Sequence, residues 1–206
     1  MNNLVDTLFA HYAEAEGPAL LWYAIRIQQL PLALFGIAIA GAILPPLSRA
    51  LKAQKWNEYL RFLQEALFQT WILMLPLTAA LFLMGDMGVT LLYGRGDFHF
   101  QDVVGTTTCL WAYGIGLIPS ALVLVLAPAC YANHNYFLPT FSSFLAMGLN
   151  LVLNSLFIFI WGWGAVSVAI ATSISVWINF GILGAKLIKP QLFFHKPLMT
   201  QAISMT

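Results

Sequence analysis

Residues 22–50 read WYAIRIQQLPLALFGIAIAGAILPPLSRA, and the fold follows from them. Between Leu30 and Leu47 the stretch carries no charge and is built largely of Leu, Ile, Ala and Gly. With the residues before it, the run is long enough for a helix to cross a hydrocarbon core of about 30 Å. Near its start, inside the same helix, stand Arg26, Gln28 and Gln29. An Arg at the centre of a membrane helix costs roughly 2.5–3.5 kcal/mol on insertion scales, so such residues face a bundle interior or a water-filled cavity rather than lipid. That makes Arg26 the first binding candidate. The alternative is snorkelling to the nearer interface, about two turns from a helix start near Ala19. Gln28 and Gln29 favour the polar cavity.

Composition sets the class. Of 206 residues, 60% are hydrophobic and 8% charged, against about 25% charged in a soluble domain. The apolar runs of about 20 residues point to helices, whereas a barrel would alternate apolar and polar residues. The expected fold class is all-α, a polytopic membrane helical bundle of five full transmembrane helices and one partial N-terminal helix. A net charge of +1 gives nucleic acid no support as a partner. Cys109 and Cys130 lie in or beside one apolar run with no second ligand cluster, so they read as small core residues, not a disulfide or a metal site. Residues 1–12 lack a basic region with a following cleavage site, so they read as the tail of a helix.

In chain order, residues 1–12 form the partial piece carrying Asp6, and 13–18 a polar link with Glu14 and Glu16. A span over 19–44 is expected to kink at Pro31 and to stop at Pro45-Pro46, where amide donors are missing. Residues 48–61, with Arg49, Lys52, Lys55 and Arg61 against Glu58, read as a basic amphipathic loop. The next span covers 62–84, broken near Pro76, and leads to an acidic loop, 85–102, with a tight turn at Gly94 and Gly96. Spans follow over 103–130, rich in small residues and prolines, then 137–160 and 165–187. The turn Trp161-Gly162-Trp163-Gly164 fits an interfacial aromatic belt. The domain reading is a lobe over 1–187 and a poorly ordered cytoplasmic tail over 188–206. Seven of the nine basic residues fall in 48–61 and 186–206. The positive-inside rule makes those segments cytoplasmic and turns 85–102 outwards.

Three polar groupings remain at membrane depth. Tyr23, Arg26 and Gln29 follow one another at helical spacing, and Asn150 and Asn154 stand at i, i+4. Thr172, Ser175 and Asn179 form a stripe on the last span, with Val168 one turn before it. Asn, Ser and Thr commonly join membrane helices for about 0.6 kcal/mol each, which is the plain reading of the last two groups. Asp6 opens another: a carboxylate with amides, a hydroxyl and a backbone carbonyl supplies the hard oxygen ligands of an alkali cation. Pairing of Asp6 with a basic partner stays open beside it.

The run YAIRIQQLP (23–31), with LPPLS at 44–48, resembles the MurJ (MviN) lipid II flippases, whose members read close to YA-x-R-[LI]-x-x-[LF]-P and LP-x-LS in one helix. LLYGRGDFHFQD (91–102) is similar to that family's YG-x-G-x-F segment, LAPACYANHNYFLPT (126–140) to its cytoplasmic turn, and GAVSVAIATSIS (164–175) to its small-residue helix ending in A-T-S. The resemblance covers about residues 1–187. It corresponds to the end of the seventh through the twelfth of the family's fourteen helices, so a C-terminal-lobe fragment or split product is expected. The resemblance implies a transporter of the multidrug/oligosaccharidyl-lipid/polysaccharide exporter superfamily. Such a transporter moves the undecaprenyl-pyrophosphate-linked peptidoglycan precursor across the bacterial cytoplasmic membrane by alternating access. By the same resemblance, Arg26 matches a cavity residue for the pyrophosphate; by helical spacing Gln29 and Tyr23 are its substrate-binding neighbours on the same face. Asp6, Asn150, Asn154, Val168 and Thr172 match a sodium site of some members. Some members have a carboxylate where Asn154 stands, which weakens the expected cation affinity here.

The expected partners are the lipid-linked precursor, membrane lipids and a missing N-terminal lobe, on the same or a separate chain. No cofactor is expected beyond the sodium ion. A drug or polysaccharide exporter of the same superfamily is the nearest alternative, and an inactive truncated fragment another. An intramembrane enzyme lacks support, because His11, His99, His134 and His195 are scattered without a partner motif.

Overall fold

A computed structural model describes residues 3–187, and the expected tail with Lys189, His195 and Lys196 lies outside the described residues. The chain forms α1 (Asn3–Ala13), α2 (Gly17–Pro31), α3 (Ile37–Lys52), α4 (Trp56–Tyr93), α5 (Phe100–Ile115), α6 (Leu117–Ala132), α7 (Phe137–Ser155) and α8 (Val166–Leu187). A π-helical turn, Leu32–Gly36, follows Pro31 and joins α2 to α3, so that Gly17–Lys52 is one rod. A second π-helical turn, Leu156–Ile160, extends α7. Among the described residues four rods are long and apolar enough to cross a membrane, and α5 with α6, bent by 44°, makes a fifth when the pair is taken as one span. The 11 residues of α1 rise about 16 Å, half a bilayer core. The all-α membrane bundle of five spans and one partial helix is the architecture seen.

Several boundaries differ from the sequence reading. Pro45-Pro46 does not stop the helix: α3 runs through both to Lys52. The two rings leave the carbonyls of Gly41 and Ala42 without their usual i+4 amide donors, but they already sit in a helical backbone that Ala50 and Leu47 anchor by burial. The basic segment 48–61 is not a separate loop. It divides into the end of α3, a turn at 53–55, and the start of α4, whose Tyr59 is buried and donates from Oη to the Ala129 carbonyl at 3.1 Å. Pro76 leaves α4 unbroken over 38 residues. Residues 85–93 are helical too, held where Gly85 lies against Trp111 and Leu110.

Two packed cores follow one another along the bundle. One gathers Ala10, Leu21, Ala24, Leu110, Tyr113 and Val168, with Tyr93 and Phe98 against it. The other gathers Leu47, Tyr59, Leu63, Ala129, Leu138 and Leu183. Much of the outside is apolar, with Leu34, Phe68, Leu83, Leu91, Phe144 and Ile160 exposed, as a lipid-facing surface requires. Cys109 and Cys130 are free and buried.

The bend between α5 and α6 is the most constrained point. A Cβ on Gly116 would stand 2.8 Å from Ser173 Oγ and 3.1 Å from Ser173 Cα, so only glycine admits α8 this close. Pro119, three residues on, has no N–H for the Ile115 carbonyl. Trp177 of α8 supplies one instead, its Nε1 donating to that carbonyl at 3.0 Å. Ser173 Oγ donates to the Ala112 carbonyl at 2.6 Å, and Gln28 Nε2 of α2 to the Tyr113 carbonyl at 2.8 Å. Gln28 is therefore a buried link between α2 and α5, not a lining of a polar cavity.

Arg49, Lys52, Lys55 and Arg61 gather at the end of the bundle where Leu183 and Leu187 of α8 pack, and Arg95 lies at the other end beside Tyr93 and Phe98. The positive-inside rule predicts that the first end is cytoplasmic. A cysteine placed at Asp97 is expected to react with a membrane-impermeant maleimide added to intact cells, and one at Lys52 only after lysis. The buried Cys109 and Cys130 keep the background low. The reverse pattern would invert the orientation.

Candidate substrate and cation sites

α1, α7 and α8 bring four polar side chains together inside the bundle. Asn154 Nδ2 donates to Asp6 Oδ1 and to Asn150 Oδ1, both at 3.1 Å. Asn150 Nδ2 donates to Thr172 Oγ1 at 3.1 Å, and the Thr172 hydroxyl faces the Val168 carbonyl at 2.9 Å and Asp6 Oδ2 at 3.5 Å. The ring is shut off from solvent: Asp6 and Asn150 are 7% exposed and Asn154 0%. Its geometry follows from local spacing. Asn150 and Asn154 share a face of α7, Val168 and Thr172 share a face of α8, and each pair is one helical turn apart. α1 is brought in by the close pass of α2, where a Cβ on Gly17 would meet the Ala10 carbonyl at 2.6 Å.

The donor set fits a monovalent cation. It offers the Asp6 carboxylate, two amide oxygens, one hydroxyl and the Val168 carbonyl, all hard oxygens. Asn154 Oδ1 is buried without a hydrogen-bond partner among the described residues, so one oxygen is unused by the ring itself. Among the described residues no group of three or more His, Cys, Asp or Glu is placed to hold a metal ion, and the carboxylate hydrogen-bonded in the ring is that of Asp6. The stripe expected on α8 divides: Thr172 joins the ring, Ser175 Oγ donates to the Ala171 carbonyl of its own helix, and Asn179 Oδ1 has no hydrogen-bond partner among the described residues.

Arg26 stands elsewhere, exposed on the outside of α2. Its guanidinium lies over the Trp22 ring, 4.8 Å from the centroid. Trp22 in turn meets Tyr23 edge-on at 5.5 Å. Tyr23 and Gln29 are half-buried on the flanks, and no hydrogen bond joins them to Arg26 among the described residues. From Ile27 and Leu30 onward an apolar crevice of about 300 Å³ runs between this rod and α4, lined also by Phe35, Leu77, Leu81 and Gly88. The sequence reading missed the roles of Gln28, Ser173 and Trp177. The signal available for Trp177 was Pro119, which leaves the carbonyl four residues before it without a donor.

The ring predicts a non-additive double mutant. Asn154→Leu strips the Asp6 carboxylate of a buried donor and is expected to lower stability by roughly 2–4 kcal/mol. Asp6→Leu together with Asn154→Leu removes both partners and should recover at least half of that loss, measured by thermal unfolding in detergent. Additive losses would mean that the two side chains do not share one interaction.

Compared with known proteins, the sequence matches the family described as Lipid II flippase MurJ over residues 1–205. It is 34% identical over 154 residues to the probable lipid II flippase MurJ of Chlamydia trachomatis serovar D, covering 75% of this chain and 29% of that protein. It is 33% identical over 183 residues to the one of Chlamydia pneumoniae, covering 89% of this chain and 34% of that protein. Among solved structures it superposes on a lipid II flippase MurJ in an inward closed conformation with a TM-score of 0.81 and 24% identity, over 90% of this chain and 39% of that one. A MATE family multidrug resistance transporter of the MOP superfamily, inward-facing, gives 0.75 and 19%, over 90% and 41%. These two likenesses concern the fold. The chain thus spans 29% and 34% of the two Chlamydia relatives. On the family match, this chain belongs to the lipid II flippase MurJ family, a family of multi-pass membrane transporters and not of enzymes.

Proposed function

We propose that this chain forms one lobe of a transporter that moves the undecaprenyl-pyrophosphate-linked peptidoglycan precursor, lipid II, across the bacterial cytoplasmic membrane by alternating access. The observation that carries the reading is the exposed side of the rod Gly17–Lys52. Arg26 is exposed there, and so are Gly41 and Ala42, whose carbonyls lack an i+4 donor because of Pro45 and Pro46. Gly41 lies about 10 Å along the helix from the rod's midpoint, within the depth of the hydrocarbon. Free backbone carbonyls and a guanidinium do not face lipid tails; they face water or protein. A second lobe, from the same or a separate chain, would enclose that face as a cavity.

Within such a cavity the chemistry suits a pyrophosphate. The planar guanidinium of Arg26 presents paired N–H donors to phosphate oxygens, and stacking on Trp22 fixes its plane beforehand. Gln29 and Tyr23 flank it with further polar groups. The apolar crevice that begins one turn away, at Leu30, offers a surface for a polyprenyl chain. The ring of Asp6, Asn150, Asn154 and Thr172, with the Val168 carbonyl, would hold sodium. A bound ion there would tie α1, α7 and α8 together, so that an ion gradient biases one arrangement of the lobe over another.

Two measurements test these parts separately. In a transport-competent assembly containing this chain, Arg26→Ala should abolish lipid II flipping, and Arg26→Lys should restore it partly, since an ammonium keeps the charge without the fork. Normal transport by a correctly inserted Arg26→Ala variant would end the pyrophosphate reading. For the cation, the purified chain should melt at a higher temperature in sodium than in potassium chloride at equal ionic strength. The gain at saturating sodium is about 2.7 kcal/mol when the ion is at 100 times its dissociation constant. Asp6→Asn should remove the difference. Identical melting in the two salts would leave the ring as a joint between helices.

A further inference from the structure

The outer end of α2 carries a second recess that the transport reading leaves unused. It has a volume of about 320 Å³ and is lined by Tyr23, Tyr93, Arg95, Asp97 and Phe98, at the lower end of the range for small-molecule sites. The turn after α4 builds it. Gly96, at φ +64°, reverses the chain after Gly94, and Phe98 folds back onto Tyr23 with ring centroids 5.4 Å apart. Tyr93 lies 4.6 Å from Tyr23 and 6.2 Å from Phe98, closing the aromatic triad. Arg95 and Asp97 stand exposed at the rim with neither one in an ion pair among the described residues. Among the described residues the Arg95 side chain bonds only its own helix end, Nη2 donating to the Leu91 carbonyl at 3.4 Å.

An interfacial belt alone would leave such rings facing lipid. Here Tyr23, Tyr93 and Phe98 are half-buried against one another, with two unpaired opposite charges beside them. The recess is also in line with Arg26. The guanidinium covers Trp22, Trp22 touches Tyr23, and Tyr23 is a wall of the recess. The step from Arg26 to Trp22 is one helical turn, about 5–6 Å, close to the width of a single sugar ring. Aromatic faces carry a negative quadrupole that attracts the polarised C–H face of a pyranose.

We propose that this recess is an outer-side subsite for the carbohydrate and peptide of a lipid-linked pyrophosphate: the triad stacks a sugar ring, Arg95 pairs with a peptide carboxylate, and Asp97 with an amine or sugar hydroxyls. The subsite deepens the reading of Arg26 as the pyrophosphate ligand and rests on it. The head group then spans from Arg26 to the rim of the membrane, where the positive-inside orientation places Arg95 and Asp97 outside.

Binding to the purified chain in nanodiscs tests the subsite. The probes are inorganic pyrophosphate, UDP, and UDP-N-acetylmuramoyl pentapeptide, a soluble sugar-peptide pyrophosphate. The last should bind roughly tenfold or more tightly than UDP, as one stacked ring and one charge-assisted contact imply. Arg95→Gln and Tyr93→Leu should each reduce that advantage while leaving UDP and pyrophosphate binding unchanged, and Arg26→Ala should weaken all three probes. Arg95 is an exposed loop residue, so its variant keeps the fold even if Tyr93→Leu does not. Equal binding of UDP and the sugar-peptide probe, an advantage that survives Arg95→Gln, or no binding of the sugar-peptide probe at millimolar concentration would each overturn the subsite. If Arg26→Ala still weakens pyrophosphate in the first two cases, the transport reading stands without it. Loss through Arg95→Gln with no effect of Arg26→Ala would keep the recess and remove Arg26 as the phosphate ligand.

Discussion

A backbone carbonyl freed inside a bilayer has no water to turn to, and the bend between α5 and α6 frees that of Ala112, whose i+4 donor Gly116 turns to Tyr113, and that of Ile115, four residues before Pro119. Ala112, Tyr113 and Ile115 are met from outside their own helix, by Ser173, Gln28 and Trp177. These contacts fix more than the bend. Two residues along an α-helix turn the side chain by about 200°, so burying Gln28 against Tyr113 turns Arg26 outwards. In the same way Ser173 sets the rotation of α8, and its neighbour Thr172 is thereby presented to Asp6 and Asn150. One local defect in a helix orients the charged residue on the surface and the polar ring within.

Much of this was legible in the chain. The apolar runs gave the number of spans because length and the absence of charge are what the bilayer selects. The spacing of Asn150 with Asn154, and of Val168 with Thr172, already put each pair on a shared face. The failures cluster at prolines and at helix ends. Pro45-Pro46 and Pro76 were read as breaks because each ring removes an amide donor; in these long rods the flanking turns, buried against neighbouring helices, carry the backbone through. α4 outran its apolar window at both ends because Tyr59 and Gly85 are held by neighbours distant in sequence, Ala129 and Trp111. Gln28 pointed to a cavity when read with Arg26 and Gln29, since a one-dimensional run does not say which of three adjacent polar residues faces in.

The polar ring and the exposed rod differ in how they treat charge. Asp6 is enclosed, its Oδ1 accepting from Asn154 Nδ2, with the Asn150 amide and the Thr172 hydroxyl beside it. Arg26 is open and leans on an aromatic face. A buried carboxylate without donors is costly, whereas a surface guanidinium over Trp22 keeps its N–H groups available. The first arrangement suits holding a small ion within the bundle, the second meeting a large anion from outside it.

The length of α4 has a mechanical consequence. Its uncharged section lies between Glu65 and Asp86, 21 residues apart by their numbers, a rise of about 31 Å that equals the thickness of an average hydrocarbon core. The remaining turns of the 38-residue helix project past both interfaces. α4 therefore acts as a gauge of bilayer thickness. Because α3, α5 and α6 pack along it, hydrophobic mismatch in a thicker or thinner membrane tilts the bundle as a body, carrying Arg26 and the outer recess to a new depth together.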